Sequence, residues 1–403
     1  MLVGMAAMAQ SIATGDSRSV GTPSYPAVCK TLTAQFTTSQ RSSPPSSDDT
    51  SRIQSALTSC AGTGKSVVLA SSGSDNAFYT GMLTVNGEGL VVNSGVTLYG
   101  NSYSSASELI YVEGSNSFIG GPGTIDGRGD ITSGTPRLVQ TSSASNFIIY
   151  NVTLTQARHP NLYIQGGSGA TVYNVTILTP ASRSNADGID IDSISNVTVY
   201  GSTINAGDDG IAIKTNKSAA SNITVKNTKV YGTHGLSIGS QTMYGVTNVL
   251  FTGNYVYGND KMSGAASTDA NAINIKTDYD CGGTVNKVTY LNTCITEAKH
   301  LIVVTANYGS CTGNTGIPVF ENIVINGVKS TSSLSGAYSR IEGYSSSYLA
   351  NVYVANISLD TNTQSSDEYA KIDLDNVNGW APSGTDVTTG SFTLSGSVPN
   401  CSF

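Results

Sequence analysis

From about residue 145 the chain repeats one pattern of polar and apolar positions. "SNFIIYNVTL" at Asn146, "SNVTVYGSTI" at Asn196, "SNITVKNTKV" at Asn222 and "TNVLFTGNYV" at Asn248 each place an asparagine before alternating apolar residues. The last three asparagines are 26 residues apart, and a further step of 26 back reaches Ala170 in "GATVYNVTIL". The pattern returns at longer intervals in "VNKVTYLNTC", "FENIVINGVK" and "LANVYVANIS". Alternation of period two marks strands. A fixed repeat of this length marks a solenoid, in which each unit buries its apolar face only by stacking on its neighbours. The pattern predicts an all-β chain, a single parallel β-helix of about ten coils. A β-sandwich would not produce four landmarks at one spacing.

The other period occurs once. In "SSDDTSRIQSALTSC", Ile53, Ala56, Leu57 and Cys60 fall at i, i+3, i+4 and i+7 behind an acidic start, which predicts a short helix. It would cover the open edge of the first coil. The predicted organisation is a leader remnant and disordered arm over residues 1–28, followed by one β-helix domain over 29–403.

Composition narrows the function. Only 12% of residues are charged, with 44 glycines and 21 tyrosines, which suits short strands and tight turns better than surface helices. A net charge of −7 and no cluster of Lys and Arg argue against a nucleic-acid partner. No apolar run approaches the ~20 residues of a membrane span. "MLVGMAAMAQSIATGD" resembles the end of a secretory signal, with Ala-Met-Ala before Gln10, so a secreted, extracellular, monomeric protein is expected. Its six cysteines (29, 60, 281, 294, 311 and 401) form no Cys-x-x-Cys pair and read as disulfides rather than zinc ligands. Cys29–Cys60 would clamp the helix.

Stacking the turns that follow the repeat strands sets "TQARHPNLYI", "RSNADGIDID", "NAGDDGIAIK", "VYGTHGLSIG" and "TDANAINIKT" above one another. The polar residues they align are Arg158 and His159, Asp187, Asp208 and Asp209, His234, and Asn274 with Lys276; His300 continues the line. An isolated Asp-Asp-Gly is usually a turn. Three carboxylates on neighbouring coils instead raise the proton affinity of at least one of them. Such a set offers both the acid and the base of glycoside hydrolysis, and Lys276 offers a charge for an anionic sugar.

"NADG", "GDDGIAIK", "GTHGLSIGS" and "INIK", in this order, resemble the signature segments of the polygalacturonases, glycoside hydrolase family 28. The likeness extends from "DDTSRIQSAL" through "GPGTIDGRG" to "VVTANYGSC". The resemblance implies a right-handed parallel β-helix, secreted, that cleaves galacturonan-type pectin with inversion and uses no metal or cofactor. It makes Asp208 the general acid and gives Asp187 and Asp209 the attacking water. His234 would maintain the acid's protonation, and Lys276 would bind a galacturonate carboxylate. Tyr308, Asn185 and Gly235 join the substrate-binding set; Arg158 and His159 either line a subsite or only shape a turn. Asn185-Ala186-Asp187 loses a hydroxyl from the family's Asn-Thr-Asp. Asn274-Ile275-Lys276 loses an arginine, and an amide cannot form arginine's bidentate grip on a carboxylate. Arg158, Arg183 or Lys214 could compensate, or the backbone could be xylogalacturonan or rhamnogalacturonan. Two other classes remain as alternatives: a calcium-dependent pectate-lyase-like β-helix and a non-catalytic adhesin.

Overall fold

The computed structural model describes residues 12–101, 108–132, 136–309, 316–363 and 366–403. Apart from a 3-10 turn, the helix Thr50–Cys60 and many short strands make up the regular structure of these residues. The strands pair in parallel with their counterparts one coil on. Leu162–Gln165 pairs with Ile189–Asp192, and the column continues through Ile211–Lys214, Leu236–Ile238, Asn271–Lys276 and His300–Thr305 to Tyr338–Glu342. The molecule is a right-handed parallel β-helix, as expected for parallel crossovers.

Alternation explains the core. Leu162, Ile189, Ile211, Leu236, Ile273 and Ile302 form one fully buried interior column, and Ile164, Ile191, Ile213, Ile238, Ile275, Val304 and Ile341 form the next. Where coils carry rings the stack continues, with Phe251 and Tyr290 face to face at 4.4 Å. Each strand-leading asparagine sits where the chain turns with positive φ: 53° at Asn146, 63° at Asn196, 56° at Asn222 and 57° at Asn248. Asparagine tolerates that region better than most residues. Its amide then bonds along the stack, Asn222 to Asn196 at 3.1 Å and Asn248 to Asn222 at 2.9 Å. The landmark at Ala170 is off by one residue. Ala170 pairs with Phe147 and Val197, so the turn position belongs to Gly169, with φ +80°.

The predicted helix buries Ile53, Ala56, Leu57 and Cys60 over the first coil, and Cys29–Cys60 ties it down across 31 residues. A second disulfide, Cys294–Cys401, fixes the C-terminal tail. Cys281 is also disulfide-bonded; Cys311 lies outside the described residues. No helix among the described residues is long and apolar enough to cross a membrane.

The N-terminal arm differs from expectation. Residues 12–27 are not a disordered lead-in but lie against the strands that begin successive coils. The Ala13 amide donates to Thr289 Oγ1 at 2.9 Å, those of Thr14 and Gly15 to Asn248 Oδ1, and that of Asp16 to Thr224 Oγ1. Further along, Arg18 donates to the Ala170 carbonyl, and Tyr25 packs on Phe118 and Tyr150. Outward threonines and asparagines there need partners, and the arm supplies them.

Candidate active site

The cleft lies along the strand column 162–165, 189–192, 211–214, 236–238, 271–276, 300–305 and 338–342 and the turns that enter it. Register alone builds most of the site. Asp187, Asp209 and His234 each stand two residues before strand positions paired in parallel, Ile189, Ile211 and Leu236, so the turns bring them to successive levels of one column. Outward strand positions form two further columns: Asp190, Ala212, Ser237, Asn274, Val303 and Arg340 in one, with Asp192 paired to Lys214 and Lys276 through Thr305 to Glu342 in the other.

The ionisable groups are tightly connected. Asp208 Oδ1 lies 2.9 Å from His234 Nδ1 and accepts from the Asp209 amide at 2.9 Å. The His234 amide donates back to the Asp208 carbonyl at 2.8 Å, so both residues are fixed at both ends. Asp209 is buried; its Oδ1 accepts from Ser237 Oγ at 2.7 Å and Lys276 Nζ at 3.0 Å. Lys276 also lies over the Tyr308 ring, 4.8 Å from its centroid. On the other side, Lys214 Nζ is 2.8 Å from Asp187 Oδ2 and 2.9 Å from Asp190 Oδ1.

These contacts divide the carboxylates. Burial disfavours the Asp208 anion, yet the His234 hydrogen bond and charge, with Lys276 and the Asp209 amide, bring it down to about 2. Its hydrogen bond to Asp208 raises His234 above the usual imidazole range. Burial pushes Asp209 up, aided by the charges of Asp187 and Asp208, against the pull of Lys276. Burial and the Asp187 charge push Asp190 well up. The shifts thus set an acidic Asp208 against an imidazole that holds its proton more tightly than usual, beside a buried Asp209 of raised proton affinity.

Gly235 has a structural task as well as a place beside the site. Its φ is +91°, and a Cβ would collide with the carbonyls of Asn271 and Ala272. Its own carbonyl accepts from the amides of Gly210 and Ile211, immediately after the paired aspartates.

The remaining sequence-predicted residues are placed as follows. Asn274 is 4% exposed; its amide donates to the His234 carbonyl and Ser237 Oγ, both at 3.4 Å. Tyr308 is 55% exposed and lines the same cavity as Asn274 and Lys276. Asn185 is exposed at φ +58°. Arg158 donates to the Thr132 carbonyl at 3.1 Å; His159 is half-buried beside it. Lys214 is not free to replace a lost arginine, because Asp187 and Asp190 occupy it. Sequence reasoning missed Asp190, Ser237, Asn271 and Arg340. Asn271 Oδ1 accepts from His300 Nδ1 at 2.7 Å, which draws that histidine into the cleft wall. For Asp190, Ser237 and Arg340 the missed signal is the strand alternation itself, since positions three and five beyond each turn residue face outward. Asn271 stands at the turn level of His234, two residues before Ile273.

Asp208, Asp209 and His234 present ligand atoms within 4.8 Å of one another, a spacing that could hold a cation. Here Lys276 and His234 already supply the compensating positive charge.

The family model for glycosyl hydrolases family 28 matches residues 84–379, more than half of the chain. An endo-polygalacturonase of Pectobacterium carotovorum subsp. carotovorum is 33% identical over 358 residues, covering 78% of this chain and 83% of that protein. A probable endo-xylogalacturonan hydrolase A of Aspergillus flavus is 28% identical over 323 residues, covering 72% and 75%. The solved polygalacturonase of Erwinia carotovora ssp. carotovora superposes with a TM-score of 0.67 at 28% identity, over 93% of this chain and 99% of that one. A carboxylate column with its histidine and lysine, on a β-helix matched along most of its length, has one consistent meaning: the chain is a glycoside hydrolase and belongs to glycosyl hydrolases family 28.

Proposed function

We propose that this enzyme hydrolyses the galacturonosidic bonds of pectic polysaccharide by a single inverting displacement. The observation that carries this reading is the set of Asp187, Asp208, Asp209, His234 and Lys276 around one cleft. In the proposed step, a water oxygen attacks the anomeric carbon as the bond to the leaving sugar oxygen breaks. The proton for that oxygen comes from Asp208, drawn from the one it shares with His234. The water's proton passes to Asp209 or Asp187. A buried base of raised proton affinity is a better acceptor than an exposed aspartate. Lys276 holds a sugar carboxylate, with Tyr308 as the ring beside it.

Each group in the cleft comes from one chain, so a monomer suffices, and residues 29–403 form the catalytic unit. The disulfides suit an oxidising, extracellular setting. An unsubstituted galacturonan is the main reading. Asn274 in place of the family arginine favours xylogalacturonan as the second. The test is the release of reducing ends from polygalacturonate, xylogalacturonan and rhamnogalacturonan, with the anomer of the first product followed by NMR. The expected result is highest activity on polygalacturonate, an inverted product and insensitivity to a chelator. An unsaturated, ultraviolet-absorbing product formed only with calcium would make the enzyme a lyase.

A further inference from the structure

The cleft does not end at Lys276. A cavity of about 400 Å³ continues over the next two coils, lined by Asn274, Lys276, Val303, Tyr308, Tyr338 and Arg340 among others. Its floor follows one outward column in which Asn274 pairs with Val303 and Val303 with Arg340. Arg340 thus stands two coils beyond the position where the family resemblance calls for arginine, about 10 Å away at the usual strand spacing.

Arg340 is held ready rather than buried. Its Nη2 lies 2.8 Å from Glu342 Oε1, with 35% of the Arg340 side chain exposed against 6% for Glu342. Glu342 is fixed in turn by Thr305 Oγ1 at 2.6 Å. The carboxylate forms the floor beneath the guanidinium, whose Nε is buried without a hydrogen-bond partner while the side chain as a whole lines the cavity. Asp269, on the coil of Asn274, also lines the cavity; the cavity's cationic side chains are Lys276 and Arg340, with the uncharged Asn274 and Val303 before Arg340 in the column.

We propose that Arg340 is a carboxylate anchor for the substrate chain, two sugars beyond the residue held by Lys276, and that it takes over the grip lost at position 274. The inference rests on the galacturonan reading above. A hexuronate with its linkage spans about one coil, and a chain in two-fold conformation presents every second carboxylate to the same wall. The two-coil step from Asn274 to Arg340 matches that repeat. An arginine at this place forms charge-assisted, geometrically fixed hydrogen bonds to a carboxylate.

The experiment compares wild type, Arg340→Gln and Arg340→Lys on galacturonate oligomers of increasing length and on polygalacturonate, with thermal melts as a control for folding. On long chains Arg340→Gln should raise KM by about 5- to 30-fold with kcat nearly unchanged, since the carboxylate is charged in ground and transition states alike. Arg340→Lys should recover part of the loss. The shortest oligomer that is cleaved cannot reach Arg340 and should show no change, and cleavage positions on intermediate oligomers should shift. An equal loss at every length, or no loss at any, overturns the anchor while leaving the functional reading intact. Wild-type enzyme inactive on all galacturonates overturns that reading, and the anchor with it.

Discussion

At the scale of single residues, the pair Asp208 and His234 governs the proton. Asp208 is lowered to about 2 and His234 raised above the usual 6.5, so between those limits the pair holds one proton, resting mainly on the imidazole. The lowered aspartate adds stability above the ordinary carboxylate range, lost as pH falls towards about 2. The raised histidine adds stability below the ordinary imidazole range, lost as pH rises through its raised value. Two expectations follow for function. Activity should be bell-shaped with an optimum at roughly pH 4 to 6, its acid limb set by the water-activating carboxylates and its alkaline limb by loss of the shared proton. In Asp208→Asn the imidazole should titrate lower than in wild type, as read by NMR, while kcat falls at least ~10³-fold with the fold retained; an unmoved imidazole means the pair does not share its proton. Asp187, Asp208, Asp209, His234 and Lys276 were legible in the sequence because each sits at or near a turn of the repeat. Arg340 and Asp190 were not. Their meaning depends on which outward positions coincide, and that depends on register across steps of 22, 25, 37, 29 and 37 residues.

At the scale of the turn and strand, the site is only as good as the backbone that aims it. Gly235 joins the His234 turn to the strand Leu236–Ile238, and its carbonyl holds the amides of Gly210 and Ile211. Alanine there meets both a left-handed backbone and two carbonyls of the next coil. Gly235→Ala is therefore expected to cost more than the ~1 kcal/mol of an ordinary glycine replacement at positive φ. It should also lower kcat, because displacing the turn moves His234 away from Asp208. A melt and a kcat within error of wild type would show that the turn relaxes without touching the pair. The helix Thr50–Cys60 was legible for a simple reason: its period of 3.6 contrasts with strands on every side. The slip from Gly169 to Ala170 arose because an asparagine repeat cannot be followed through a coil where glycine meets the same demand for positive φ.

At the scale of the whole molecule, the arm decides how firmly the coils stay in register. A solenoid is stabilised by nearest-neighbour interfaces, so anything that spans several coils adds coupling that local stacking lacks. Residues 12–27 cross from the level of Thr289 to that of Phe118. No sequence pattern announced this, because the arm has no period of its own and takes its conformation from partners up to 276 residues away. Its central fixing point is Asp16, whose carboxylate is fully buried beside Arg18 at 2.7 Å and accepts from Thr198 Oγ1 at 2.7 Å. Burial opposes that charge, but the hydrogen bonds from Arg18 and Thr198 outweigh it and lower the Asp16 pKa. Asp16 therefore stabilises the fold above the ordinary carboxylate range and loses that contribution as pH falls through its lowered value. Asp16→Ala is expected to destabilise by about 1–3 kcal/mol, the cost of leaving buried donors without their acceptor. The loss should be present at neutral pH and shrink towards wild type in strong acid, where Asp16 is protonated anyway. Because the arm lies on the column of Ser145–Tyr150, Ser168–Tyr173 and Ser195–Tyr200 and the cleft on a different column, kcat and KM on polygalacturonate should stay unchanged below the melting transition. Denaturant melts at two pH values, with activity assays on the same samples, test both halves. If the stability loss carries an equal loss of activity, the arm and the cleft are coupled through the coils rather than built on independent faces.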